Sequence, residues 1–220
     1  MYKKKSLFIV FEGIEGSGKS YLSKRLYNAL RIRGASAILT REPGGTKRAE
    51  KIRQIILNDY FLKKNKEKFH KYTDTLLYLA ARNEHVLNKI KPNIFKKIII
   101  CDRFVDSTAA YQIYGKNVNK SLVDYIHKYI LRDIKPDLTF VLKVEISKAL
   151  ERIKKRGKKN RYDKFPKNFY SKVQNAFLKI ASKNKKRYII LDNTKDSKIT
   201  ENIILKRVLK KWTLKAMIIS

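Results

Sequence analysis

With 220 residues the chain can build one large α/β domain with its own core and is short for two. Hydrophobic residues make up 43% and aromatic residues 11%, which excludes intrinsic disorder although 33% of the residues are charged. A formal net charge of +34 would attract phosphates, nucleic acid or an anionic membrane, yet the lysines are spread along the chain and no basic, aromatic-interleaved module appears, so a solvated lysine surface is favoured over a nucleic-acid face.

At the start, MYKKKSLFIVF sets basic residues before an apolar run. Glu12 breaks that run, no small-residue cleavage site follows, and a cytoplasmic location is expected. Leu7 to Phe11 reads as a strand buried on both faces. After the glycine-rich turn of FEGIEGSGKS, a helix is expected from Lys19 to Arg33, with Leu22, Leu26, Ala29 and Leu30 on one face and Gly34 as C-cap. Ala35 to Thr40 reads as a second strand, and REPGGT after it as a shaped loop. Lys47 to Leu57 and Thr73 to Ile90 read as helices, joined by a lysine-rich surface loop or helix end. Lys97 to Cys101 is the clearest buried strand; its cysteine is the only one, which excludes an intrachain disulfide and fits a reducing compartment.

Ser121 to Leu131 is expected helical, Leu138 to Val144 a strand after Pro136, and Ile146 to Lys155 a helix entering the basic turn RGKKNRYDK. A helix from Lys167 to Lys183, a strand from Tyr188 to Leu191 and a helix from Ile199 to Trp212 close the chain, with LKAMIIS as an apolar end suited to an interface. No stretch approaches the roughly 18 apolar residues of a membrane span. Five strands each followed by helices predict a doubly wound five-stranded parallel sheet with helices on both faces, in a single domain over 1–220.

The turn fits G-x-x-x-x-G-K-[ST] through Gly13, Gly18, Lys19 and Ser20, between a predicted strand and a predicted helix. In such a P-loop, here Gly13, Ile14, Glu15, Gly16, Ser17, Gly18, Lys19 and Ser20, backbone N–H groups face phosphate oxygens. Lys19 neutralises phosphate charge and the Ser20 hydroxyl can ligate Mg²⁺, so ATP and Mg²⁺ are the expected cofactors. Asp102 and Arg103 follow a buried strand onto the ligand rim, where a carboxylate for Mg²⁺ and a guanidinium for a second phosphate are as plausible as a strand-capping ion pair. Tyr78 and Arg82 lie four apart on one helical face; by themselves they read as a packed aromatic beside a snorkelling cation.

In order, GIEGSGKS, TREPGGT, the AAR of the third helix, DRFVDSTAAYQ and KPDLTFVL, spread over about residues 7–192, resemble the thymidylate kinase family, P-loop kinases that phosphorylate dTMP with ATP. The resemblance implies a P-loop nucleoside monophosphate kinase-like fold. It also implies that Arg41 and Arg103 hold the dTMP phosphate, Tyr78 stacks on thymine, and Arg82 and Gln112 bond the base edge. Tyr111 would crowd the sugar C2′, Glu15 would accept from the 3′-hydroxyl, and Ser107 would belong to the same wall. Lys19 would act in catalysis, Ser20 and Asp102 would hold Mg²⁺, and a lid at about 152–165 would close. Because Gly16 stands where one subgroup has arginine, the resemblance assigns the catalytic arginine to the lid, with Arg156 first, Arg161 second and Arg152 next. A homodimer through helices flanking the base site is implied as well. The chain departs from the family pattern at Asn160 to Asp163, NRYD where Asp-Arg-x-Glu is common, and at Lys143, where Asp is usual. Two other readings are a kinase acting on thymidine and a nucleic-acid-binding ATPase.

Overall fold

The computed structural model describes residues 6–57, 69–157, 161–195 and 197–217. In chain order the elements are β1 (Phe8–Glu12), α1 (Lys19–Ile32), β2 (Ala37–Arg41), α2 (Lys47–Leu57), α3 (Lys71–His85), β3 (Ile98–Asp102), α4 (Val105–Thr108), α5 (Lys120–Leu131), β4 (Leu138–Lys143), α6 (Ile146–Lys155), α7 (Lys167–Ser182), β5 (Tyr188–Asp192) and α8 (Ser197–Met217). The strands form one parallel sheet in the order β2-β3-β1-β4-β5, with Val10 opposite both Cys101 and Thr139. This is the expected doubly wound sheet.

Strand alternation explains why both faces are covered. Leu7, Ile9 and Phe11 pack under α1 and α8 with Leu22, Leu26, Ile204 and Val208. Phe8 and Val10 point the other way, onto Val86, Ile90 and Phe104. A third cluster, with Val141, Tyr170, Val173 and Phe177, brings α7 against β4 and reaches Ile14 of the glycine turn. Gly34 (φ 77°) ends α1 as expected: its N–H donates to Arg31 O at 3.0 Å, and the N–H of Ala35 to Leu30 O at 3.0 Å.

Two differences from the sequence expectation bear on the site. First, β1, β2, β3 and β5 each run one residue past the last expected position, to Glu12, Arg41, Asp102 and Asp192. The apolar run ends before the ladder does, and the extra residue is the charged one that meets the rim. Second, residues 105–115, for which the sequence pattern predicts no element, form α4 followed by a π-helical turn over Ala109–Gly115. That turn buries Ala110, Tyr111 and Gln112 in succession, which no 3.6-residue period anticipates. The helix expected to Ile90 likewise ends in a π turn at Val86–Ile90, where the N–H of Lys91 donates to Val86 O at 2.8 Å. Asn160, most of the lysine-rich joint after α2 and the last three tail residues lie outside the described residues. Among the described residues no helix is long and apolar enough to cross a membrane.

Candidate active site

A cavity of about 380 Å³ opens at the carboxyl ends of β1, β2 and β3. At one end lies the glycine turn. Gly13, Gly16 and Gly18 have φ of 143°, 74° and 94°, in the left-handed half of conformational space. At Gly13 an added Cβ would stand 2.7 Å from Leu142 O, and at Gly16 2.4 Å from Ala149 O. The backbone of α6 thus occupies the room a side chain at position 16 would need. Gly18 caps α1 without a side-chain hydrogen bond, so the helix presents its first N–H groups to the cavity.

Lys19 is almost buried, and its Nζ donates to Ile14 O at 2.6 Å and Ser17 Oγ at 3.3 Å. Burial, and next the nearby Arg103 cation, lower its pKa to about 8. Ser20 Oγ donates to Asp102 Oδ2. Asp102 Oδ1 is buried with no hydrogen-bond partner among the described residues. A hydroxyl and a carboxylate with one oxygen unpartnered form a hard-oxygen donor set that fits Mg²⁺.

At the other end Arg103, itself at φ 72°, spreads its guanidinium over three acceptors. Nη1 donates to Gly13 O at 2.9 Å and Ser107 Oγ at 3.1 Å, and Nη2 to Glu15 Oε1 at 2.7 Å. Burial would lower its pKa, but Tyr111 and the carboxylates of Glu15, Asp102 and Glu12 outweigh this and raise it. Tyr111, whose ring centre lies 5.2 Å from the Arg103 guanidinium, donates its hydroxyl proton to Glu15 Oε2. Arg41 is exposed and ion-paired with Glu50 at 3.0 Å. Tyr78 lines the cavity with its ring edge-on to Tyr162, centroids 6.1 Å apart. Gln112 is 2% exposed, and its Nε2 has no hydrogen-bond partner among the described residues.

Arg82 is no snorkelling cation. It is 2% exposed: Nε donates to Glu42 Oε2 at 2.7 Å, Nη1 to Thr108 Oγ1 and His127 Nε2, each at 2.7 Å, and Nη2 to Phe104 O at 3.0 Å. Burial and the Arg82 charge lower the pKa of His127 to about 3, so its ring is neutral and accepts. Four of the five Arg82 N–H groups are thereby committed to protein, and one is left for a ligand.

In the lid segment, Arg156 lines the cavity and Nη2 donates to both oxygens of Asp163 at 2.7 and 2.6 Å. Arg152 also lines the cavity but donates to backbone carbonyls, Gly16 at 3.2 Å and Asn193 and Thr194 at 3.0 Å each. Arg161 is not brought to the cavity: its guanidinium donates to Asp74 on α3.

Arg53, Glu12, Thr108 and Tyr162 were not anticipated from the sequence. Arg53 of α2 lines the cavity and donates from Nη1 to Pro43 O at 2.7 Å. Its spacing of four from Leu57, another lining residue, was the available signal. Glu12, wholly buried, accepts from the N–H groups of Phe104 (2.8 Å) and Ser107 (3.2 Å) and from Ser107 Oγ (2.6 Å), so it holds the turn that carries Arg103. Burial, then the Asp106 carboxylate, raise its pKa to about 8.

The family model described as thymidylate kinase matches residues 11–204. A thymidylate kinase of Mycoplasma capricolum is 40% identical over 208 residues, covering 93% of this chain and 95% of that protein. One from Wolbachia pipientis is 40% identical, covering 92% and 100%. The crystal structure of the Ehrlichia chaffeensis thymidylate kinase superposes with a TM-score of 0.72 at 34% identity, covering 93% of this chain and 98% of that one. Match of the family model over most of the chain, relatives of 40% identity and a shared fold together show that the chain belongs to the thymidylate kinase family.

Proposed function

We propose that the chain transfers the γ-phosphoryl group of ATP to the phosphate of dTMP, giving dTDP and ADP. The observation that carries this reading is one cavity lined both by the glycine turn and by three arginines on its acceptor side, Arg41, Arg53 and Arg103. Cations gathered there suit a phosphorylated acceptor; a neutral hydroxyl would give them nothing to neutralise.

An acceptor phosphate has a second pKa of about 6 and is already a dianion at neutral pH, so the reaction needs no general base. Its oxygen forms the new bond to the γ-phosphorus while the bond from that phosphorus to the β-bridging oxygen breaks, leaving ADP. The protein contributes alignment and charge. Arg103, Arg41 and Arg53 orient the acceptor phosphate. Lys19 and Arg156 balance charge on the transferring group, Arg156 after leaving Asp163. Ser20 and Asp102 would hold Mg²⁺, which would supply positive charge to offset the phosphates.

Gln112 Nε2 and the remaining Arg82 N–H are donors for base carbonyls, and Tyr78 offers a ring for stacking. Glu15, set by Arg103 and Tyr111, keeps acceptor capacity for the sugar 3′-hydroxyl, with Ser107 beside it. The exposed apolar side chains Ile55, Leu76 and Leu87, on α2, α3 and the π turn after it, support the homodimer that the resemblance implies. A single cytoplasmic domain completes the reading, with Cys101 suited to a reducing compartment.

ADP release with dTMP, thymidine, dUMP, dCMP and single-stranded DNA as alternative acceptors or stimulants tests the proposal. Turnover with dTMP is expected. Stimulation by thymidine or DNA without dTMP turnover would replace it with one of the two rival readings.

A further inference from the structure

The short 3-10 turn Arg161–Lys164 makes three different connections from three successive residues. Arg161 donates to Asp74 Oδ1 at the start of α3. Tyr162 lines the cavity, its ring edge-on to Tyr78 (centroids 6.1 Å) and to Tyr111 (5.7 Å), the two rings assigned to the acceptor. Asp163 holds Arg156. The turn thus joins the acceptor wall to the lid arginine.

The Tyr170 hydroxyl holds the backbone of the turn at the Tyr162 carbonyl, and one buried carboxylate holds the side chains of Arg161 and Tyr162. Asp74 is 1% exposed and collects three donors: Arg161, Lys116 Nζ at 2.6 Å and the Tyr162 hydroxyl at 3.2 Å. Lys116 also lies 5.3 Å from the Tyr162 ring centre. Two poorly exposed cations converge on this oxygen pair, so removing its charge leaves them facing each other without compensation, and a buried pair broken on one side is strongly unfavourable. Asp74 itself does not line the cavity.

We infer that Asp74 is a positioning residue for phosphoryl transfer: through Arg161 and Tyr162 it holds the lid turn against Tyr78 and Tyr111, and so sets acceptor affinity and the placement of Arg156 without touching either substrate. Arg161, on this assignment, anchors the lid and does not meet the transferring group. The inference rests on the dTMP reading of the cavity and adds a distinct requirement to it.

The test is steady-state kinetics of the full chain with ATP and dTMP varied separately, for wild type, Asp74→Asn, Arg161→Gln and the double variant. Asp74→Asn should raise KM for dTMP by about 3- to 30-fold and leave KM for ATP within about twofold, the range expected for a coupling residue outside the site. Arg161→Gln should shift the same parameter by less, since Lys116 and Tyr162 stay on Asp74, and the double variant should be no worse than Asp74→Asn, because the contact Arg161 makes is already lost there. Asp74→Glu should recover part of the affinity. If Asp74→Asn fails to fold, Arg161→Gln reads the same link from its other end. Equal rises in both KM values, unchanged kinetics or additive losses would overturn the inference. A wild-type chain that does not turn over dTMP would defeat the acceptor reading; wild-type turnover with unaltered variants would defeat only the role of Asp74.

Discussion

Arg103 and Glu15 meet at 2.7 Å inside the cavity, one rising from the end of β3 and the other standing in the glycine turn that follows β1. The pair links the part of the site meant for the acceptor to the part meant for ATP. Because Arg103 also donates to Gly13 O, it braces the turn as well as offering charge. Arg103→Ala is nevertheless expected to weaken dTMP by about 100-fold or more and ATP by less than about fivefold, since charge-assisted bonds to phosphate contribute roughly 1.5–3 kcal/mol each. Separate titrations of the two nucleotides check this, and equal loss for both would make the bracing its main role.

Burial, and next the Arg103 cation beside it, lower the pKa of Lys19 to about 8. Its Nζ faces Arg103, Asp102, Glu15 and Glu12. A lysine must be protonated to neutralise phosphate, so kcat/KM for ATP should fall as pH rises through about 8. Bound phosphates favour the charged form, so the corresponding limb in kcat should lie at higher pH. For folding the sign is opposite: the native state binds fewer protons than the unfolded one between about 8 and 10.5, and this group's contribution to stability grows as pH rises across that window and is lost as pH falls through about 8. A kcat/KM profile for ATP that stays flat to pH 9.5 would refute this account.

Arg156 is parked on Asp163 by two bonds to one nitrogen. Arg156→Ala should lower kcat by about 10³-fold or more, as loss of an arginine at a transferring phosphoryl group does elsewhere, with little change in KM for dTMP. Single-turnover measurements separate this from slow product release. The same assay on Arg152→Ala should show raised KM for ATP, because its bonds go to the Gly16, Asn193 and Thr194 carbonyls.

Gly16 admits no side chain without moving α6, for an added Cβ falls 2.4 Å from Ala149 O at a φ of 74°. Gly16→Ala should therefore cost about 1–3 kcal/mol, from the left-handed backbone and the clash together, lowering Tm by several degrees. Gly16→Arg should not restore activity to Arg156→Ala. A doubly substituted chain with near wild-type turnover would contradict the packing described.

The sequence made the sheet legible because β1 and β3 are continuous apolar runs, and the P-loop legible because its glycines and lysine keep fixed spacing. The strand ends were read one residue short for the same reason, since Glu12 and Asp102 look like loop residues until the ladder is seen. Tyr111 and Gln112 were found by motif but not as part of a helix, because a π turn buries consecutive residues. The partners of Arg82, among them His127 on α5, and the Asp74 link are contacts 45 and 87 residues apart in the chain, a separation no local pattern reports.

Arg152 decides how much of α6 is anchored. Its guanidinium ties the last part of α6 to the glycine turn and to the segment after β5, while Ala149, one turn earlier, rests directly on Gly16. The helix α6 is therefore tied to the glycine turn and to the residues just past β5 as far along as Arg152. Further along the chain the backbone is held again at Tyr162, where Tyr170 donates its hydroxyl to the carbonyl at 2.5 Å, so any closing movement is left to the residues between those two anchors.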